Sequence, residues 1–501
     1  MIRPAGEEMA GRASRIVVVS NRVAVPDPAR RAQAGGLAVA VNAALKERGG
    51  IWFGWSGTIT PTPSDHPVVT TQKRMTYAVI DLKEDDYQEY YNGFANRVLW
   101  PILHYRVDLA EFAQADLSGY IRVNRNFADH LAKIIGPDDV LWIHDYHMMP
   151  LAQYLRERGH RNRIGFFLHI PMPPPDLIQA LPKHGEIVGA LAYYDLVGFQ
   201  TEQDKENFAR YLDTRGGQSS ADGRSYDVGG RRVKLGAFPV AIETAAFARR
   251  ARHASRSQFV KRFKESLSGR KLIVGVDRLD YSKGIPNRLE AYERFLRNAE
   301  DWHDKVAYVQ ITPKSRTEVP EYAEMDRFVS RKAGQINGLY SDVSWTPLRY
   351  VNRTYSRSAL AGIYRAAGVA MVTPLRDGMN LVAKEFVAAQ DPEDPGVLLL
   401  SQFAGAAHEL SAGALIVNPH DLDGMAEALR RALEMPLPER SDRYRRMMSV
   451  LEANDIDRWA KRFLAELTDD RALPAMSLPP AAVRTVRARP DWRTGPAPRK
   501  A

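Results

Sequence analysis

The feature that most constrains this chain is a rhythm of short β-branched and apolar runs, each followed by a stretch of helical period. "RIVVVS", "DVLWIH", "RIGFFLHI" and "DLVGFQ" fall in the first half, and "KLIVGVD", "KVAYVQIT", "VAMVTPL" and "GVLLLS" in the second. Brief apolar runs bounded by turn residues suit strands buried on both faces of a parallel sheet, and parallel neighbours need a crossover that is usually a helix. The expected fold is therefore α/β with parallel sheets. A chain of 501 residues, 45% of them hydrophobic, can fill more than one core. The second series opens at "KLIVGVD" after the basic stretch Arg249 to Lys264, which puts a domain boundary near residues 243–255. The two halves show no clear internal repeat. One helix starts near Thr201, where "TEQD" pairs an N-cap Thr with an acid three residues on. "RGGQSSADGRSYDVGGRR", Arg215 to Arg232, reads as a loop or hairpin.

Composition removes several function classes. The absence of cysteine excludes disulfides, thiolate nucleophiles and Cys-based zinc sites. No apolar run approaches the roughly 18 to 20 residues that span a bilayer, so no membrane partner is expected. The N-terminus carries Glu7 and Glu8 and lacks the layout of a secretory signal, so the expected location is cytoplasmic. The formal charge of +10 invites a nucleic-acid reading. Much of the excess lies beyond residue 470, in Arg471, Arg484, Arg487, Arg489, Arg493, Arg499 and Lys500 against Asp491. That Pro- and Ala-rich tail, residues 471–501, is expected to be disordered, and no specific nucleic-acid partner is expected.

Ligands of parallel α/β sheets gather at the carboxyl ends of strands, so polar residues just beyond strands deserve weight. In the first half these are Arg22 after "VVVSN", Gly35 and Gly36 before a helix, His144, Asp145 and His147 in "HDYH", and His169 in "LHIPMPPP". The glycine pair fits either a tight turn or a backbone approach to a ligand. "HDYH" matches no metal-ligand spacing, and its histidines equally suit structural roles. The aromatic set Tyr90, Tyr91, Trp100 and Tyr105 reads as core or as a sugar-binding face. In the second half, Arg278 and Lys283 follow one strand and Arg316 the next. Clustered cations call for carboxylates or an anionic ligand, and a diphosphate fits. Asp280 answers at most one of them. "TPLRDGMNLVAKE" places Asp377 in a loop and Glu385 early in a helix beginning near Asn380. Such a helix start attracts anions, and Glu385 suits either a ribose diol or its own helix dipole.

Taken together, "SNR", "AGGLA", "WFGWSG", "YYNGFANRVLWP", "HDYH", "LHIPMPP", "RLDYSKGI", "INGLYS", "WTPL" and "TPLRDGMNLVAKE" resemble the trehalose-6-phosphate synthase family. The likeness runs from about Arg15 to about Leu467. The resemblance implies a GT-B architecture, two Rossmann-like domains facing across a cleft. It implies an acceptor-binding domain over residues 15–245 behind a flexible extension, 1–14. A nucleotide-sugar-binding domain over 246–450 would follow, then a helix, 451–470, packing back on the first domain. The implied reaction moves glucose from a nucleoside diphosphate glucose, UDP-glucose foremost, to glucose 6-phosphate. Arg22, Trp55, Tyr91, Trp100, Asp145 and Arg316 would bind the acceptor, with Arg22, Tyr91 and Arg316 on its phosphate. Gly35, Gly36, His169 and Asp377 would hold the donor glucose, Arg278 and Lys283 the diphosphate, and Tyr355, Leu381, Val382 and Glu385 the nucleoside. The residues expected to carry the chemistry are Asp145, His169, Arg278, Lys283 and Asp377.

The resemblance implies a retaining reaction without a carboxylate base or nucleophile, in which the leaving phosphate takes the acceptor proton on its own face. No metal or other cofactor is then needed, because fixed cations answer the charge that develops on the diphosphate. Gln335 stands where a basic residue is expected, which leaves the donor base open. Other phosphorylated acceptors such as glycerol 3-phosphate, a catalytically silent homologue, and a homo-oligomer also remain open at this level.

Overall fold

The structure is a computed structural model that describes residues 15–26, 45, 49–313 and 320–469. The extension 1–14, the tail after 470, Gly35, Gly36 and Arg316 lie outside the described residues. Sixteen described strands build two sheets. The first contains β1 (Ile16–Arg22), β2 (Gly50–Ile59), β3 (Val68–Gln72), β4 (Met75–Leu82) and β5 (Val140–His144). It continues through β6 (Ile164–Phe167), β7 (Leu196–Phe199), β8 (Gln218–Ser219), β9 (Ser225–Val228) and β10 (Arg231–Ala237). The second contains β11 (Lys271–Val276), β12 (Val306–Ile311), β13 (Leu348–Val351), β14 (Val369–Val372), β15 (Val397–Ser401) and β16 (Leu415–Val417).

The first sheet runs β3-β4-β2-β1-β5-β6-β7-β10-β9-β8, antiparallel only at its two edges, and the second runs β13-β12-β11-β14-β15-β16 and is parallel throughout. Central strands such as β5, β14 and β15 are buried at every residue, which explains why they read as unbroken apolar runs. Both sheets reverse their order about their first strand, the first between β1 and β5 and the second between β11 and β14. Such switch points open a crevice beyond the carboxyl ends of the two strands, because the following loops diverge to opposite faces.

Of the loop or hairpin read over Arg215 to Arg232, the structure shows the hairpin form, and β8, β9 and β10 make it part of the sheet rather than a connection outside it. The last described helix, Ile456–Thr468, returns to the face of the first sheet. Phe463 stacks on Trp142 with ring centroids 4.9 Å apart, and Trp459 Nε1 donates to the Phe238 carbonyl at 3.1 Å. Gly165 and Gly198 make room for it: a Cβ at either would stand 2.8 or 2.7 Å from the Phe463 ring. Lys384, buried in the second half, donates to the Val240 carbonyl at 2.8 Å and is ion-paired with Glu409. Among the described residues no helix is long and apolar enough to cross a membrane.

Candidate active site

At the first switch point, β1 pairs with β2 through Val19 opposite Phe53 and then Arg22 opposite Trp55, so β1 carries one extra residue. That bulge re-aims the strand end. Buried Ser20 fixes it, accepting from Trp52 Nε1 at 2.8 Å and donating to the Arg22 carbonyl at 3.0 Å. The exposed Arg22 guanidinium thereby lies 5.8 Å from the Trp55 ring centroid. Gly57 adopts φ +90°, a conformation suited to glycine, and lies against that guanidinium, so a Cβ there would stand 2.5 Å from Arg22 Nη2 and displace it.

Residues Tyr87–Leu99 form a π-helical segment, a wide coil that costs hydrogen-bond quality and often marks functional sites. Its consequence is a divided aromatic set. Tyr90 is fully buried and donates to Asn21 Oδ1 at 2.8 Å, whereas half-buried Tyr91 stacks on His147 at 5.9 Å and on Tyr87 at 5.6 Å. Trp100 is buried, with its ring 4.1 Å from His104. Tyr90 is thus core, while Tyr91 and Trp100 border the crevice.

After β5, Asp145 adopts φ 76° and ψ 164°, a conformation that costs a non-glycine residue about 1 to 3 kcal/mol. The surrounding bonds hold it there: its N–H donates to the Phe167 carbonyl at 2.8 Å, and its Oδ1 accepts from the His169 N–H at 3.3 Å. His169 Nε2 and His144 Nδ1 share a hydrogen bond at 3.0 Å. Burial pushes His169 down to about 3 and His144 well below the ordinary imidazole range, so both rings are neutral at physiological pH. His144 thereby supports His169 from behind, and among the described residues there is no group of three or more His, Cys, Asp or Glu side chains placed to hold a metal ion.

The second switch point supplies the cations. Lys283 Nζ stands 2.6 Å from Asp377 Oδ2, which also accepts from Asn380 Nδ2 at 3.0 Å. Asn380, at φ 77°, caps the helix Leu381–Ala389 by accepting from the Ala383 N–H at 3.2 Å. Asp280 behaves differently from an ion-pair partner for Lys283: its buried Oδ1 accepts from the Ser282 N–H and hydroxyl, at 3.0 and 2.8 Å, and holds the turn that presents Lys283. Exposed Arg278 sits 5.9 Å from the Trp100 centroid of the first half. Arg376 covers Tyr105 at 3.8 Å, and Gly378 packs so tightly on His169 that a Cβ would lie 2.3 Å from its carbonyl oxygen. The loops of both sheets therefore meet in one place.

Behind Lys283 lies a buried network that sequence reasoning missed. Arg288 donates to Asp277 Oδ2 at 2.7 Å, to Thr373 Oγ1 at 2.9 Å, to Gln310 Oε1 at 3.2 Å and to the Lys283 carbonyl at 3.2 Å. Burial raises the Asp277 pKa and the Arg288 guanidinium opposes the rise. The available signal was a lone cation on the buried helix face formed by Ile285, Leu289 and Tyr292. At the far end, Glu385 accepts from Arg357 Nη2 at 3.1 Å, and burial raises its pKa against that cation's pull. Leu381 and Val382 are half-buried in the first turn of the same helix, and half-buried Tyr355 packs its ring 5.9 Å from Phe259.

Residues 14–469 match the model of glycosyltransferase family 20. The chain belongs to glycosyltransferase family 20. Its family-20 relatives include the trehalose-6-phosphate synthase of Sinorhizobium fredii (strain NBRC 101917 / NGR234), 54% identical over 457 residues, which are 91% of this chain and 98% of that one. The UDP-forming α,α-trehalose-phosphate synthase of Burkholderia xenovorans, solved in complex with glucose-6-phosphate, is 47% identical, covers 91% of this chain and 100% of its own, and superposes with a TM-score of 0.87. An E. coli relative solved with UDP-2-fluoro glucose is 46% identical over 91% of this chain and 99% of its own, with a TM-score of 0.85. The two parallel-sheet domains are those of a GT-B glycosyltransferase.

Proposed function

We propose that this family-20 protein is a retaining, UDP-forming enzyme that transfers glucose from UDP-glucose to glucose 6-phosphate, giving α,α-trehalose 6-phosphate and UDP. The observation that carries this reading is the meeting of two switch points. One presents Arg22, Trp55, Tyr91 and Asp145, the other Arg278, Lys283, Asp377 and Glu385, in a chain whose relatives were solved with the corresponding substrate and donor analogue.

Each residue's part follows from its setting. Arg22 and Tyr91 take the acceptor phosphate, Arg through a forked guanidinium that suits it, with Trp55 and Trp100 as apolar walls. Glu385, steadied by Arg357, accepts from the ribose diol beside Leu381, Val382 and Tyr355. Departure of the diphosphate leaves positive charge on the sugar ring and negative charge on phosphate, and Lys283 and Arg278 stabilise the latter without a metal. Asp145 Oδ1 accepts from the His169 N–H, and the carboxylate so placed orients an acceptor hydroxyl rather than attacking carbon. His169 is neutral, and with Nε2 engaged by His144 its Nδ1 is the ring atom available to a sugar hydroxyl. The acceptor proton passes to the departing phosphate on the same face, which preserves configuration.

Nucleotide release measured with UDP-, ADP- and GDP-glucose against glucose 6-phosphate and glycerol 3-phosphate tests the reading. Release is expected with UDP-glucose and glucose 6-phosphate, with retained configuration in the product; none with glucose 6-phosphate defeats it.

A further inference from the structure

A cavity of about 490 Å³ opens in the first half of the molecule, among residues that take no part in the site above. Tyr193 lies just before β7, Arg231 begins β10, and Arg215 follows the helix Glu202–Asp213. The cavity therefore lies at the amino ends of β7 and β10, the opposite edge of the sheet from the two switch points.

Its lining is cationic. Arg125, Arg215 and Arg231 border it, and among the described residues none of the three is ion-paired. The one carboxylate in the lining, Glu186, has Lys183 at 3.8 Å. The guanidiniums are also positioned. Arg231 lies 3.7 Å from the Tyr193 ring centroid, and Arg125 lies 5.2 Å from that of Tyr154, to which its side chain is also hydrogen-bonded, so aromatic neighbours hold both guanidiniums at the cavity wall. Arg215 lies against Gly185, where a Cβ would meet its Nη1 at 2.7 Å, so a side chain at 185 would evict it. Two of these arginines come from the Gly- and Ser-rich segment 215–232, whose composition has no explanation in the transfer reaction.

Three guanidiniums held around one space repel one another, and a multiply charged anion relieves that repulsion while accepting forked hydrogen bonds. We infer that this cavity is a second, non-catalytic binding site for a phosphorylated small molecule carrying at least two phosphate charges. The volume admits either a bare diphosphate or a sugar bisphosphate.

The test is calorimetric titration of the full chain, with inorganic pyrophosphate in one arm and fructose 1,6-bisphosphate in the other, and the arginine variants below separate binding in this cavity from binding at the catalytic site. Stoichiometric binding of at least one probe with Kd at or below about 1 mM is expected. The tighter probe tells an inorganic from a sugar-borne phosphate. Arg215→Gln/Arg231→Gln removes two charge-assisted contacts and is expected to weaken binding about 100-fold. Its transfer rate is expected to stay within about twofold, which also establishes that the variant is folded. Absence of binding in both arms, or equal binding by the active double variant, overturns the inference; so does weakening that Arg125→Gln fails to reproduce in direction.

Discussion

Lys283→Ala probes the leaving-group assignment most sharply, because the structure says what remains when the ammonium goes. Loss of one preorganised donor beside a developing oxyanion typically costs about 3 to 4 kcal/mol, or roughly 10²- to 10³-fold in kcat. A second effect falls on the donor. Asp377 Oδ2 lies 2.6 Å from Lys283 Nζ, and the pair is only 11% and 13% exposed. A phosphate oxygen on the same ammonium stands at most roughly 5.5 Å from that carboxylate, since a charge-assisted hydrogen bond adds about 2.9 Å. Two unit charges at that distance repel by about 3 kcal/mol at an effective dielectric of about 20, and partial solvent access reduces this to about 1 to 2 kcal/mol. With the ammonium gone, the donor KM should rise roughly 5- to 30-fold in addition to the loss in kcat. Lys283→Ala/Asp377→Asn removes the repelling charge and keeps an oxygen that can accept from Asn380. Its donor KM should return to within a few-fold of the unsubstituted enzyme while kcat stays low. Steady-state kinetics with UDP-glucose as the varied substrate reads both quantities. Near-normal kcat in the single variant refutes the leaving-group role. A donor KM unchanged between single and double variants refutes the electrostatic account of Asp377.

On the acceptor side, Arg22→Ala should raise the KM for glucose 6-phosphate by about 10- to 100-fold and the donor KM far less, since an Arg to phosphate contact is worth about 1.5 to 3 kcal/mol. Equal rises in both, in initial-rate measurements, count against the phosphate assignment. Acid sensitivity follows from the neutral histidines. His104, pushed down to about 4 with its Nδ1 donating to the Trp100 carbonyl, and His144, held well below 6.5, are both buried uncharged. Their folded values are lowered, so the unfolded chain binds more protons below about pH 6.5, and stability is present above that pH and lost as pH falls. From about pH 7 to about pH 5 each should cost the fold about 2 kcal/mol. His144→Gln should shrink the difference in unfolding free energy between those pH values by about that amount, read by urea denaturation; an unchanged difference means His144 is not buried neutral.

The parts of this molecule legible in its sequence are those where one element suffices. Strands β5, β11, β14 and β15 are buried on both faces and announce themselves as apolar runs. The helix beginning at Leu381 is announced by Asn380, whose side chain caps it. Strands β2 and β4 escaped because they mix buried and half-exposed positions, and β2 carries three glycines among its aromatics. Edge strands β8 and β9 were legible only as a loop or hairpin, because their turn-rich composition carries no apolar period. In each case the missing information was which neighbour covers which face.

The same division governs the site. Which residues stand at strand ends was readable from local pattern, and the motifs therefore pointed to Asp145, His169, Lys283 and Asp377. Which carboxylate answers which cation was not readable, because two carboxylates competed for Lys283 on different terms. Asp280 is three residues away, but a carboxylate at the start of a tight turn finds the N–H and hydroxyl of Ser282 first, and those local bonds hold it. Asp377 is 94 residues away and reaches Lys283 because β11 and β14 are neighbours in the sheet. That adjacency is also what makes the switch point. The crossover that places the two loops side by side thus sets both the switch-point crevice and the Lys283 to Asp377 ion pair at its edge. A substitution that loosened the β11 to β14 contact should therefore disturb diphosphate recognition before it disturbs the acceptor side, whose residues depend on β1, β2 and β5 instead.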